Sequence, residues 1–345
     1  MPNIKKYQIP LFHPYINKGM KIAAYTALGE KIIGQGDKVD EFEKKLCQAL
    51  HVQNLLTVNS ATSALELAYH MLNLKPGDEV ISPVFTCIAT NISLVRQGIK
   101  IVFSDILDNL LLDWTDVQKK ITAKTKAIIN VHLFGQHSKA KDLGIPIIGD
   151  SAQYLDKTYG ERFTAYSFQA TKAITTVDGG ALVCQKPEDY KRAKLLRWYG
   201  IDRETDKDNI EVDITEAGFK YHMNDVTASI GIAALKHLKK TESKIAYLQK
   251  RYFQELKNVD GITPIGGSPF LIHTKNRDKL IKKLSEKGIE AGLIHKRNDL
   301  YSVFGGKRLA LPNMNRVENI YLFLPCRVNM AIKNIEYICS AVKKI

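Results

Sequence analysis

Between Asn54 and Cys184 the chain alternates short apolar runs with stretches whose apolar residues return at helical spacing. The runs NLLTV, DEVISPV, IKIVFSDI, AIINVHLF, IPIIGD and GGALVC have strand length and are largely apolar, as strands buried on both faces are. Between them, SATSALELAYHML sets Leu65, Ala68, Tyr69 and Leu72 at i, i+3, i+4 and i+7, one face of a helix. ATNISLVRQ and WTDVQKKI separate later runs. This repetition predicts an α/β fold of parallel strands with crossover helices. From Asn224 to about Val259 the chain reads as one or two long helices, DVTASIGIAALKHLKK and SKIAYLQKRYFQEL. We take them as the bridge from a large domain, residues 1–240, into a smaller one, residues 241–345. There SPFLIHT predicts a strand, and NRDKLIKKLSEKG and NIEYICSAVKKI predict helices.

A chain of 345 residues that is 45% hydrophobic can bury one large core and a smaller second one. The five cysteines, at 47, 87, 184, 326 and 339, form no CxxC pair and no metal-ligand spacing. Reduced thiols in the cytoplasm are expected, and no zinc site. The opening MPNIKKYQIPLF has no long apolar stretch, and no run approaches membrane-spanning length, so no membrane partner is expected. The formal charge of +14 admits nucleic acid or an anionic substrate. Its lysines, in groups such as LKHLKK and KLIKKL, alternate with apolar residues at helical spacing, with no basic stripe carrying interleaved aromatics. That is the pattern of solvated helix faces, and nucleic acid is not an expected partner.

Candidate chemistry lies at the ends of the apolar runs. IPII leads through Gly149 into Asp150, and SFQATK follows, ending at Lys172. An aspartate at the end of a buried strand, with a serine and a lysine on the next stretch, can hold and use pyridoxal 5'-phosphate. The aspartate keeps the pyridine nitrogen protonated, and the lysine carries the cofactor as a Schiff base. Ser60, Ala61 and Thr62 sit where a strand turns into a helix, and a helix N-terminus with free N–H groups suits a phosphate. Each residue has a plainer reading: Ser60 as an ordinary N-cap, Asp150 as a cap after a strand, Lys172 as a surface lysine. Ser167, five residues before Lys172, adds a second hydroxyl for the same phosphate.

With these residues in place, the chain resembles the DegT/StrS family of pyridoxal-phosphate-dependent sugar-nucleotide aminotransferases. The matching blocks run in order: IIGQGDKVDEFEKKL, NSATSALELA, LKPGDEVISPVFTCIATNISL, VFSDI, TKAIINVHLFGQ, IGDSAQ, SFQATK, VDGGALV, RWYGIDRE and GFKYHMNDVTASIGIAAL. The resemblance implies the type I aspartate-aminotransferase fold: a large domain with a mostly parallel sheet, a smaller C-terminal α/β domain, and a homodimer with shared active sites. It makes Lys172 the Schiff-base lysine and proton carrier, Asp150 the pyridine-nitrogen partner and Gln153 the contact to the ring hydroxyl. Ala61, Thr62 and Ser167 match phosphate contacts, and Lys220 matches a phosphate contact donated by the partner subunit.

Cys87 stands where many members stack an aromatic side chain on the ring, and Ala61 replaces a common glycine. The segments between VHLFGQ and IIGD, and between KTYGER and AYSFQ, are shorter than usual in the family. In AGLIHKRNDLYSVFGG, which resembles a compact subset of the family, His295, Arg297 and Asn298 are candidates for the sugar-nucleotide site, since a guanidinium fork suits a pyrophosphate. The alternative is that RND caps a helix or packs domains together. The implied reaction takes an amino group from L-glutamate to a nucleotide-linked keto sugar, a 4-keto-6-deoxyhexose by default. A sugar dehydratase or a non-catalytic cofactor-binding regulator is the alternative. The dehydratase route replaces the lysine by histidine, whereas Lys172 is retained.

Overall fold

The apolar runs become strands because each is short, apolar and flanked by residues that start or stop helices. The computed structural model describes residues 7–203 and 213–344. The beginning of MPNIKKYQIPLF, the last residue of the RWYGIDRE block and the final isoleucine lie outside the described residues. Helices α1 (Lys18–Leu28) and α2 (Asp37–Leu50) precede β1 (Leu55–Val58). There follow α3 (Ala61–Met71), β2 (Glu79–Pro83), α4 (Ile88–Arg96), β3 (Lys100–Ser104), α5 (Trp114–Lys120), β4 (Thr125–Val131), β5 (Ile147–Ser151), β6 (Phe163–Ser167), β7 (Gly180–Cys184) and α6 (Pro187–Arg197). Then α7 (Asp225–Leu235) and α8 (Leu238–Leu256) lead to β8 (Ile262–Gly266), β9 (Phe270–Thr274), α9 (Arg277–Glu286), α10 (Pro312–Val317), β10 (Tyr321–Leu324) and α11 (Ile332–Val342).

A seven-stranded sheet runs in the order β1-β7-β6-β5-β4-β2-β3. Strands β2 to β6 pair in parallel, as the alternating pattern predicts. The GGALVC strand departs from that pattern, because β7 lies antiparallel to both β6 and β1. This one reversed strand has a functional consequence. Its first residue, Gly180, pairs with Val58 at the end of β1 and with Ser167 at the end of β6. The start of β7 therefore lies at the same rim of the sheet as the carboxyl ends of the other strands, where open α/β sheets bind ligands.

Helix α3 begins at an N-cap, Ser60, whose hydroxyl accepts from the Ser63 amide. The expected face, Leu65, Ala68 and Tyr69, is buried, but so are Ala64, Leu67 and Met71, while Leu72 is only partly covered. The helix packs on β6 and β7 and is flanked by α4 and α6, so most of its surface leaves water. Each fully buried leucine contributes about 1.5–3 kcal/mol. That burial fixes where the N-terminus of α3 points.

A second, three-stranded sheet, ordered β10-β9-β8, is antiparallel throughout. Its core joins Leu248, Tyr252 and Leu256 of α8 to Ile335, Ile338 and Val342 of α11. Ile9 from the amino-terminal segment enters the same core, bridging to Ile289. In contrast, Met314 and Val317 of α10 pack into the core of the large sheet. The amino-terminal segment thus reaches both cores, with Ile9 in the smaller and Leu11 in the larger.

Candidate active site

The rim of the large sheet gathers the candidate residues because consecutive strands end there. Asp150 is the penultimate residue of the central strand β5 and is buried. Its Oδ2 accepts from Thr90 Oγ1 at 2.7 Å, and its Oδ1 accepts from the Ala152 amide at 3.0 Å. The Thr90 hydroxyl also meets that of Thr86 at 2.8 Å. Thr86 and Thr90 were not singled out from sequence. Their i, i+4 spacing at the start of α4 is the only local sign that they act together.

Lys172 lies in the turn after β6, with its Nζ donating to Gln153 Oε1 at 2.9 Å. Burial pushes the Lys172 ammonium below its ordinary range, opposed by the negative charge of Asp150. A lysine so placed gives up its proton more readily than one in water. The Gln153 amide nitrogen faces His295 Nε2 at 3.4 Å. With the amide oxygen accepting from Lys172, its NH2 group donates, and His295 Nε2 accepts as a neutral ring. Consistently, burial holds the His295 imidazole down to about 4, helped by the positive charge of Lys172. The ring stacks on Phe134, with centroids 6.0 Å apart. His295 thus sits beside Gln153 and Lys172.

Across the rim, Ser60, Ala61 and Thr62 form the N-terminus of α3. Ser63 and Ala64 donate their amides to the Ser60 hydroxyl and carbonyl. The Ala61 and Thr62 amides, the first two of the helix, have no intrahelical acceptor. Gly180 keeps this turn against the sheet: a Cβ there would lie 2.5 Å from the Ala61 nitrogen. Gly180 also pairs with Ser167, which brings Ser167 to the same rim, where its hydroxyl accepts from the Gln169 amide at 3.3 Å. Two free N–H groups on a helix dipole, with hydroxyls alongside, suit the dianionic phosphate of pyridoxal phosphate. Asp150 suits its pyridinium nitrogen and Lys172 its aldehyde, so the donor set fits the cofactor.

Cys87 is the N-cap residue of α4, partly buried, and burial pushes its thiol up. The charges of Asp150 and Lys172 also act on the thiol, so it lies near them. Lys220 is exposed, and its backbone carbonyl accepts from Asn59 Nδ2, next to the α3 N-terminus. Among the described residues no group of His, Cys, Asp and Glu is arranged to hold a metal.

Arg297 and Asn298 require correction as sugar-nucleotide contacts. Arg297 is 1% exposed and donates twice to Asp299, at 2.7 and 2.6 Å, and also to Asn315, Glu318 and the Leu309 carbonyl. No donor is left for a pyrophosphate. Asn298 is fully buried, donates to the Thr86 carbonyl at 2.8 Å and accepts from Asn91. Asn298 ties the segment after His295 to the β2–α4 turn at Thr86 and to Asn91 of α4, a packing role. Arg297→Ala will therefore destabilise the fold by about 3–5 kcal/mol, since it strands a buried carboxylate. Urea unfolding measures that loss, and affinity for a nucleotide sugar will stay unchanged in the folded variant.

The cleft at Lys172 has walls the sequence did not disclose. Leu11, His13 and Tyr15 of the amino-terminal segment line it, as do Tyr154, Ser268 and Arg327.

Known proteins resemble this chain along nearly its whole length. Residues 15–343 match the DegT/DnrJ/EryC1/StrS aminotransferase family. The chain is 30% identical to a UDP-4-amino-4-deoxy-L-arabinose–oxoglutarate aminotransferase of Shewanella sediminis, covering 98% of each chain. It is also 30% identical to a UDP-4-amino-4,6-dideoxy-N-acetyl-beta-L-altrosamine transaminase of Campylobacter jejuni, covering 94% of each. Among solved structures, Spr1654 from Streptococcus pneumoniae in its PMP form superposes with a TM-score of 0.88 at 25% identity, over 98% of this chain and 97% of that one. The same protein has been solved in its PLP form. The protein described here is a member of the DegT/DnrJ/EryC1/StrS aminotransferase family.

Proposed function

We propose that this chain transfers an amino group from L-glutamate to a nucleotide-linked keto sugar, a 4-keto-6-deoxyhexose, working as a homodimer in the cytoplasm. The observation that carries the reading is the Lys172–Gln153 hydrogen bond at 2.9 Å beside Asp150, with the free amides of Ala61 and Thr62 at the same rim. Bound pyridoxal phosphate supplies an electron sink for the carbanion formed when an amine-bearing carbon loses its proton.

The chain's own residues do the rest. Lys172 moves that proton, and its burial favours the neutral amine that can accept it. Gln153 holds the lysine nitrogen, and Thr90 holds the Asp150 carboxylate that would meet the ring nitrogen. The α3 N-terminus and Ser167 would anchor the phosphate and so fix the cofactor relative to the lysine nitrogen.

The dimer is supported by apolar residues left in water. Tyr25 and Leu28 on α1, and Ile32 just after it, are 83%, 64% and 63% exposed. Exposure of this kind on one helix and its exit is what a second copy would cover. In that assembly Lys220 is the residue that reaches the phosphate of the other subunit.

Incubation of the purified protein with pyridoxal phosphate, L-glutamate and UDP- or dTDP-linked 4-keto-6-deoxyhexoses tests the proposal. Mass spectrometry is expected to show a product in which the keto oxygen is replaced by an amine. Return of unchanged keto sugar from every nucleotide tried, with glutamate consumed, would reject the sugar assignment.

A further inference from the structure

Gln153 carries a choice that its backbone does not make. An amide side chain has an acceptor at one end and two donors at the other, and the two ends have nearly the same shape. Lys172 Nζ lies 2.9 Å from the Gln153 oxygen, and His295 Nε2 lies 3.4 Å from its nitrogen. The chemistry of the neighbours requires this orientation. A charged lysine offers only donors, so a reversed amide would set its NH2 group against the ammonium. With the oxygen toward Lys172, the NH2 group faces His295, whose Nε2 must then accept and whose proton must sit on Nδ1.

The surroundings of His295 leave its ring to this one task. It stacks on Phe134 with centroids 6.0 Å apart and meets Phe85 at 5.9 Å, and neither aromatic face competes for Nε2. Its backbone is fixed as well. The Tyr321 hydroxyl donates to the His295 carbonyl at 2.7 Å, and two residues on Arg297 bridges to Phe85. Among the described residues only Gln153 hydrogen-bonds the ring. A cationic imidazole would meet the Gln153 NH2 group donor to donor, and burial together with the Lys172 charge keeps the ring neutral.

We propose that His295 is a positioning residue that fixes the Gln153 amide with its oxygen toward Lys172, and so sets where the lysine nitrogen stands. This rests on the reading of the Lys172 cleft as the site of amino transfer and adds to it a residue that acts on the lysine through Gln153. Without an acceptor at His295 the amide has no reason to keep its orientation, and Lys172 loses its hydrogen bond in a buried place. A bond accepted from the ammonium favours the charged form, so its loss lowers the lysine pKa further. The other titratable groups acting on Lys172 are Asp150 and the Cys87 thiol, and a substitution at His295 leaves both in place.

The test first reads Lys172 in the full-length chain freed of cofactor. The rate at which cyanate carbamylates Lys172, followed against pH by mass spectrometry, gives its apparent pKa. The variants are His295→Phe, which keeps a ring between Phe85 and Phe134; His295→Gln, which keeps an acceptor near the place of Nε2; Gln153→Leu; and Gln153→Leu combined with His295→Phe. We expect His295→Phe and Gln153→Leu each to lower the pKa by about one unit. His295→Gln should recover most of that shift, and the double variant should go no further than either single one. In the holoenzyme, His295→Phe should react with saturating L-glutamate about fivefold to tenfold more slowly, although its lysine gives up a proton more easily.

An unchanged Lys172 pKa in His295→Phe overturns the proposal, as does a reaction with L-glutamate as fast as the wild type's. So does an equal shift in His295→Gln, which would mark repacking around the ring, or a double variant that shifts by the sum of the two, which would mean that His295 acts without Gln153. If His295→Phe does not fold, His295→Leu carries the same comparison. Failure of the wild type to react with L-glutamate would instead count against amino transfer itself, and the carbamylation measurement still reads His295 in that event.

Discussion

Lys172→Ala and Lys172→Arg will lose amino transfer by at least about ten-thousandfold while folding normally. The effect is large because one nitrogen is asked to hold the cofactor and to carry the proton. Alanine removes both roles. Arginine keeps the positive charge and most of the length, but it stays protonated and cannot act as a base. Stability should change little, since the side chain sits at the edge of the cleft and makes one hydrogen bond, to Gln153. Thermal unfolding monitored by circular dichroism and rates measured on the same samples check both statements. Activity within tenfold of wild type in either variant would remove Lys172 from its assigned role.

The second large effect is at Asp150. Asp150→Asn preserves shape, and the Thr90 hydroxyl, shared with Thr86, can turn to donate to or accept from the new amide. What it loses is the charge that the proposed function sets against the pyridine nitrogen. Rates should fall by about a hundredfold to a thousandfold, the cost of removing one preorganised electrostatic partner. Asp150→Ala should lose at least as much, and it should also lower stability, because Thr90 and the Ala152 amide are left without their acceptor in a buried place. Comparing the two separates charge from architecture. If Asp150→Asn were as active as wild type, proton retention on the ring would not depend on this carboxylate.

Asp150 was legible in the sequence because it ends an apolar run whose strand character is set locally, whereas Lys172 was read from the SFQATK block itself. Asp150 ends IPIIGD, and Lys172 lies a short step beyond the next strand. The helix start at Ser60 was legible too, since it stands at the junction of a strand and an amphipathic helix. The strands not foreseen were β6, β8 and β10. Their local signals are weak: β10 is only four residues, and β8 carries a proline and ends on a glycine at a sheet edge. The direction of β7 was also hidden. A buried strand reads the same either way, and its orientation is decided by which neighbours it meets.

Arg297 shows where residue chemistry misleads. A guanidinium beside an asparagine and aspartate looks like an anion site, but Asn315 and Glu318, some twenty residues on, complete its shell. Thr90 is likewise 60 residues from the aspartate it orients. Long-range pairing settled both, and it is the part of the site that a local pattern does not encode.

The most direct measurement is the visible absorbance of the purified protein with pyridoxal phosphate, before and after addition of L-glutamate. A yellow band should form with the wild type, be absent or altered in Lys172→Ala, and fade when glutamate is added. A band that persists unchanged in glutamate would contradict the assigned donor, and the absence of any band would contradict the cofactor and the site built around it.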